Sequence, residues 1–454
     1  MIRGTKIIAA LCGAALVIGA VAPAQTTPDA SPVSVDAVAE SYAKLVLAMG
    51  QHDADYVDAF YGPAEWKTAA EKEKKPLDAI REEAMDLFSA LAQLPVPPVE
   101  LEYLRLQYLM AQLAALEARV RIVQGTKLKF NAESQALYSA VAPTHPEGDF
   151  QKILDRLDKK LPGKGPLAAR YEEWRKRFII PKEKLDAVFQ LAIKACRART
   201  LAHVPLPPEE SFTVEYVTGK SWGGYNWYQG NYRSLIQVNT DVPAYVDRAI
   251  DLAAHEGYPG HHVYNALLEK NLVRDRGWKE FTVYALFSPQ SLIAEGTANF
   301  GKEVVFTKAE RLKFEQEVIF PAAGIDPKLA EEYYTVQEMT EQLSYAANEA
   351  ARRLLDGEID AAAAGVWLEK FALLEPKRAQ QRLRFIEQYR SYVINYNLGE
   401  DMVRAYVEKR GGTAAEPEKR WQIFTELLST PRVPNGLQGN HDAGPRTTDS
   451  NHGN

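Results

Sequence analysis

Apolar residues recur at three- and four-residue spacing over 35–50, 66–93, 98–123, 167–178, 182–203, 326–356 and 375–396 of the 454-residue chain. That period lays one apolar stripe along each of a series of helices, so the predicted class is mainly α. Proline and glycine punctuate the pattern at Pro95-Val96-Pro97-Pro98, Pro162-Gly163-Lys164-Gly165-Pro166 and Pro205-Leu206-Pro207-Pro208, which reads as loops between helices or edges of subdomains. One region departs from it. Residues 212–217 and 232–239 read as strands, joined by a glycine- and aromatic-rich connection containing Trp222, Tyr225, Trp227 and Tyr228. A small β hairpin or sheet is therefore expected inside the helical body. It is either a surface hairpin whose aromatics complete the core, or it carries an edge strand at 232–239 that a peptide extends by main-chain pairing.

The chain ends are of a different character. Arg3 and Lys6 precede an apolar run from Ile7 to Ala22, and Ala22-Pro23-Ala24 offers small residues for cleavage. Residues 1–24 thus read as a signal peptide, too short in its apolar run to anchor the protein in a membrane, and the product is expected in the periplasm or secreted. With Cys12 removed, Cys196 stands alone, so no intrachain disulfide can form and the fold must rest on its core or on a metal. Cys196 itself lies in a helical pattern and reads as a buried small hydrophobe. The net charge of −6 becomes −8 once Arg3 and Lys6 leave with the signal, which argues against a nucleic-acid partner. Residues 25–430 read as one helical body, divisible into an N-terminal helical part (33–204) and a catalytic part (205–430). The polar stretch 431–454 is expected to be disordered.

Chemistry concentrates in the segment 255–262, HEGYPGHH. The chain has 8 histidines, and three of them, His255, His261 and His262, fall here beside Glu256. The familiar zinc arrangement sets two histidines four apart on one helix face, with a glutamate after the first as general base. Here the spacing is six or seven. In a regular helix His261 would point about 120° away from His255, and His262 would lie about 10 Å along the axis, whereas two nitrogens on one zinc can be no more than ~4.2 Å apart. Pro259-Gly260 resolves the conflict, because proline removes a helix hydrogen bond and glycine tolerates unusual backbone angles. A bulge that absorbs two residues returns His261 to the four-residue position. His255 and His261 are then the favoured ligands, leaving His262 to support the site, to contact substrate, or simply to lie on the helix surface.

A third ligand is expected from a neighbouring helix. Glu295, among the small residues of 294–303, is the candidate, with a solvated helix carboxylate as the alternative; Asn299, one turn later, could orient a ligand histidine. The developing oxyanion of a hydrolytic reaction needs a further donor. Tyr389, Tyr392 and Tyr396 are spaced to share one helix face, beside Arg390, and Tyr396 or Tyr392 is the favoured phenol, the alternative being an aromatic core stripe.

His255, Glu256, Pro259, Gly260 and His261, followed by Glu295-Gly296 and Ala298, resemble the bacterial "domain of unknown function 885" family, which is grouped with gluzincin-like metallopeptidases. The resemblance extends to Tyr56-Val57-Asp58-Ala59-Phe60-Tyr61-Gly62-Pro63 and to Tyr396-Asn397-Leu398-Gly399, and so covers nearly all of residues 25–430. It implies a mainly helical zinc-peptidase-like fold, one zinc held by His255, His261 and Glu295, and Glu256 as base. Many relatives carry a Pro-Gly-Gln segment where Arg390-Ser391-Tyr392 stands here, so substrate contacts there do not transfer. Two functions of different class follow. One is an exported zinc hydrolase acting on peptides or, as runner-up, on a non-peptide or cell-wall amide; the other is a non-catalytic, metal-containing peptide-binding protein. The intact Glu256 favours the hydrolase, because a purely structural zinc prefers four protein ligands and needs no base.

Overall fold

The helical stripes do form helices, and the protein is mainly α, with one two-stranded and one three-stranded sheet. The computed structural model describes residues 34–439. The expected export signal over 1–24 and the final part of the expected tail, 440–454, lie outside the described residues. Residues 431–439 correct the expectation of disorder. Pro434–Leu437 form a helical turn in which Pro434 and Leu437 are buried, because two apolar residues suffice to dock a short segment on an existing core. None of the described helices is long and apolar enough to cross a membrane.

Breaks inside the expected helices have local causes. The stretch 66–93 divides at Lys74, which caps one helix in the left-handed region (φ 47°), before Pro76 opens the next. The stretch 375–396 divides at Arg390 (φ 53°), so its three tyrosines do not ride on one continuous helix. The helix at Glu147–Lys160 escaped the periodic reading because it buries only Phe150, Leu154 and Leu157.

Ties across position 204/205 fuse the two parts separated in sequence. Helix α1 (Glu100–Val123) sends Arg105 into a buried ion pair with Glu280 at 2.6 Å, and Tyr108 donates a hydrogen bond to Gln290. Strand β1 (Val57–Phe60) pairs antiparallel with β5 (Val283–Ala285), 223 residues later by the register of Phe60 with Val283. Residues 34–439 accordingly cluster as one compact unit rather than as two.

The larger sheet differs from the expected hairpin. Strand β2 (Ser211–Val217) runs parallel to β4 (Arg233–Asn239), and β3 (Gly224–Gly230) pairs antiparallel on the other side of β4, giving the order β2-β4-β3. The aromatic connection is thus itself a strand. Its side chains alternate, Asn226 and Tyr228 being buried and Trp227 exposed. Asn231 and Tyr232, both at positive φ, make the two-residue turn into β4, as hairpin twist requires. The strand at 232–239 is therefore central and has no free edge, which overturns the expectation that a peptide pairs with it. The edges of this sheet belong to β2 and β3.

Four helical segments then converge. Helix α2 (Arg248–Leu252) runs into a widened turn, Ala253–Gly257, and the chain resumes as α3 (His261–Leu268). Helix α4 (Pro289–Val305) crosses α5 (Ile394–Lys409) backbone against backbone: a Cβ on Gly296 would sit 2.4 Å from the Gly399 carbonyl oxygen, and one on Gly399 would sit 2.7 Å from that of Leu292. Only glycine at both positions permits that approach, and it sets Glu295 beside Tyr392, which precedes α5.

Candidate metal centre and active-site cavity

The widened turn does what the spacing demanded. Tyr258 N–H bonds back five residues to Ala253 O, Gly260 N–H bonds six back to Ala254 O, and α3 then starts at His261. His255 and His261, six apart in sequence, come within 3.2 Å at their Nε2 atoms. Glu295 Oε2 lies 3.3 Å from His255 Nε2 and 3.6 Å from His261 Nε2. Two donors on one tetrahedral zinc, each about 2.1 Å from it, are roughly 3.4 Å apart. The three edges match that figure. Glu295 Oε2 is also buried without a hydrogen-bond partner, an arrangement that is costly unless a cation occupies the triangle. These three residues are the group of potential metal ligands among the described residues.

Neighbouring groups fix how each ligand points. Asn299 Oδ1 lies 3.0 Å from His255 Nδ1, and Asn299 Nδ2 donates to the Tyr396 carbonyl, so the amide is oriented with its oxygen towards the ring. Nδ1 then carries the proton and Nε2 keeps its lone pair for a metal. Tyr392 donates its hydroxyl to Glu295 Oε1 at 2.8 Å, leaving Oε2 free to face the histidines. Burial pushes the Glu295 carboxyl up, and the two imidazoles more than offset this, holding it well below the usual carboxylate range. Burial opposes the cationic form of His261, yet Glu295, Glu256 and Asp58 raise its pKa to about 9, so a metal ion arriving at neutral pH must displace a proton.

The solvated alternative for Glu295 is excluded by its burial, at 6% exposure. His262 is neither a surface residue nor a substrate contact. It is fully buried, with Nδ1 2.9 Å from Ser234 Oγ and Nε2 2.9 Å from Glu210 Oε2, and it ties α3 to the sheet. Arg390 is likewise corrected: its Nε donates to buried Glu133 at 2.7 Å, and it does not line the cavity. Tyr389, Tyr392 and Tyr396 do line it, with ring centroids about 6 Å apart in sequence order, because the break at Arg390 keeps them side by side. Since the Tyr392 proton is committed to Glu295, Tyr396 is the one of the two favoured phenols whose proton remains uncommitted. Burial, with Glu295 nearby, raises its pKa well above the usual value and keeps it a donor. Replacing Tyr392 by Phe should weaken metal affinity by about 10- to 100-fold with the fold intact, as measured by chelator competition. Unchanged affinity would mean that the Tyr392 contact does not tune Glu295.

All these groups open onto a cavity of about 700 Å³. Glu256 lies on its wall beside the triad, buried, with Oε1 against Gly224 of β3, where a Cβ would come within 2.6 Å. The Asn226 amide holds the backbone carbonyl of Glu256 at 2.8 Å. Gly224, Tyr225 and Asn226 of β3, with Gly223 just before it, also line the cavity. Several cavity residues carried no role in the sequence reading. Asp58, half-buried, is pushed up to about 7 by burial against the pull of His261; the segment around it had been noted only as part of a resemblance. Tyr284 and Arg382 gave no local signal at all. Cys196 is buried, and burial pushes its thiol up to about 12, which leaves it inert.

No protein-family model matches the chain, and no curated protein does. Similar solved structures include a Colwellia psychrerythraea protein provisionally named a lipoprotein, at 14% identity and TM-score 0.47 over 90% of this chain and 69% of that one. The protein called BsuCP has 12% identity and TM-score 0.46 over 87% and 89%. Metallocarboxypeptidase 1 of Trypanosoma cruzi has 12% identity and TM-score 0.39 over 89% and 97%. At that degree of likeness no activity transfers to this chain.

Proposed function

We propose that the protein is an exported, zinc-dependent hydrolase that cleaves peptide bonds, built on the plan of the domain of unknown function 885 family. The observation that carries this is the triangle of His255, His261 and Glu295, with edges of 3.2, 3.3 and 3.6 Å, facing the cavity that also holds Glu256. A zinc ion there would supply Lewis acidity and bring the pKa of a water towards about 7. The chain's own residues do the rest. The free edge of β3 offers unpaired main-chain groups along which an extended peptide can lie, which aligns the scissile amide. Glu256 accepts a proton from the attacking water and returns it to the leaving nitrogen. Tyr396 donates to the oxyanion as charge develops.

Metal analysis of purified protein tests the site. About one zinc per chain should be found, His255→Ala and His261→Ala should lose it, and His262→Ala should retain most of it, because both His262 nitrogens are engaged elsewhere. Equal zinc in His261→Ala and wild type would remove the triad. A peptide-library assay before and after chelation tests the reaction, and cleavage that survives chelation would exclude the zinc hydrolase.

A further inference from the structure

Arg382 stands out among the cations of the cavity because no acidic or carbonyl group among the described residues answers its charge. Arg248 faces Asp251 at 3.8 Å, Arg378 donates to the Pro243 carbonyl at 2.7 Å, and Lys302 has Asp251, Glu341 and Glu400 as charged neighbours. Lys220 also meets only an aromatic ring, 5.7 Å from that of Trp222, but it is exposed to solvent. Arg382 has neither an acidic partner nor a carbonyl acceptor among the described residues. Half-buried in the wall helix Pro376–Tyr389, it meets only aromatic faces, with its guanidinium carbon 5.0 Å from the Phe385 centroid and 5.9 Å from that of Tyr396. Burial accordingly pulls its pKa down, with Tyr396 as the one charged or ionisable neighbour acting on it.

An unpaired, partly desolvated guanidinium is unfavourable by itself, and it becomes favourable when an anion of matching geometry arrives. Its planar fork suits a carboxylate, which it can bind through two parallel N–H bonds. Arg382 and its neighbour Tyr396 line the same cavity as Glu295 and Glu256. We propose that Arg382 is the carboxylate-binding residue of the substrate site, selecting peptides that place a carboxylate beside Tyr396. The carboxylate is either the free C-terminus of a short peptide or an acidic side chain. This rests on the hydrolase reading for its substrate class, but the binding it asserts can be measured without turnover.

The experiment uses the zinc-loaded Glu256→Gln protein, which should not consume its ligands. Calorimetry compares acetyl-trialanine with a free C-terminus, the same peptide as its C-terminal amide, and acetyl-Ala-Glu-Ala amide. One charge-assisted bidentate contact is worth a factor of about 10 to 100 in affinity. Acetyl-trialanine acid should therefore bind that much more tightly than its amide, the preference should vanish in Arg382→Met, and Arg382→Lys should restore part of it. If the glutamyl amide instead carries the Arg382-dependent gain, the carboxylate is a side chain and the assignment of Arg382 stands. Replacing an unpaired buried charge by Met should not lower the melting temperature, so loss of binding through unfolding is readily recognised. Equal affinity for all three peptides, or a carboxylate preference unchanged in Arg382→Met, overturns the proposal. Absence of turnover in the wild type alongside Arg382-dependent binding would instead overturn the hydrolase reading alone.

Discussion

Glu256→Gln should reduce turnover by about 10²- to 10⁴-fold while leaving zinc content and unfolding midpoint close to those of the wild type. Glutamine keeps the size of the side chain and one carbonyl oxygen, but its amide cannot take up a proton from water at neutral pH. The fold gives reason to expect that the damage stays local. What anchors residue 256 is its backbone, held at the carbonyl by Asn226 and placed by the widened turn after α2, and neither contact involves the carboxyl. The triangle of His255, His261 and Glu295 is likewise complete without it. A fall in zinc content would show that Glu256 supports the centre rather than acting in the reaction. Near wild-type hydrolysis of a substrate whose cleavage depends on zinc would remove it as the base.

What could be read from the sequence follows from how far apart the cooperating residues lie along the chain. His255, Glu256, Pro259, Gly260 and His261 fall within seven consecutive positions, so spacing and backbone chemistry were enough to choose His261 over His262, and the geometry brings His261 to the triad. Glu295 and Asn299 were legible through small neighbours and helical spacing. Illegible were the contacts that depend on where distant elements cross. The commitment of the Tyr392 hydroxyl to Glu295 spans 97 positions, and the pairing of Arg390 with Glu133 spans 257. Neither leaves a trace in local periodicity, and a tyrosine stripe looks the same whether its hydroxyls orient a ligand or face a substrate. The third strand was hidden for a different reason. Glycines and aromatics in 222–230 score as a loop when taken singly, while the positive-φ turn at Asn231-Tyr232 that makes β3 and β4 a hairpin is carried by residues unusual in that role. Arg382 gave no signal in the sequence, because its lack of a partner is a property of the assembled cavity.

Gly260→Ala should cost the protein both its metal and a large part of its stability, more than the 1–3 kcal/mol typical of an overpacked core. The added Cβ would sit 1.9 Å from the His255 carbonyl oxygen and 2.5 Å from that of Ala254, and these are main-chain atoms that cannot swing aside as a side chain does. The only relief is to move the backbone between the two ligand histidines, which separates nitrogens that now stand 3.2 Å apart. A zinc site tolerates little of that movement, since its ligand distances are fixed to a few tenths of an ångström. Gly148→Ala is the matched control: it lies in the first turn of the Glu147–Lys160 helix with nothing within 4 Å of the new Cβ, and alanine is preferred to glycine in helices by up to about 1 kcal/mol. Urea unfolding and zinc analysis of the two variants should therefore diverge, with Gly148→Ala unchanged or slightly stabilised and Gly260→Ala metal-poor and easily unfolded. Wild-type zinc and stability in Gly260→Ala would mean that the chain takes another path from His255 to His261, and the widened turn, which lets a six-residue spacing serve a single ion, would lose its role.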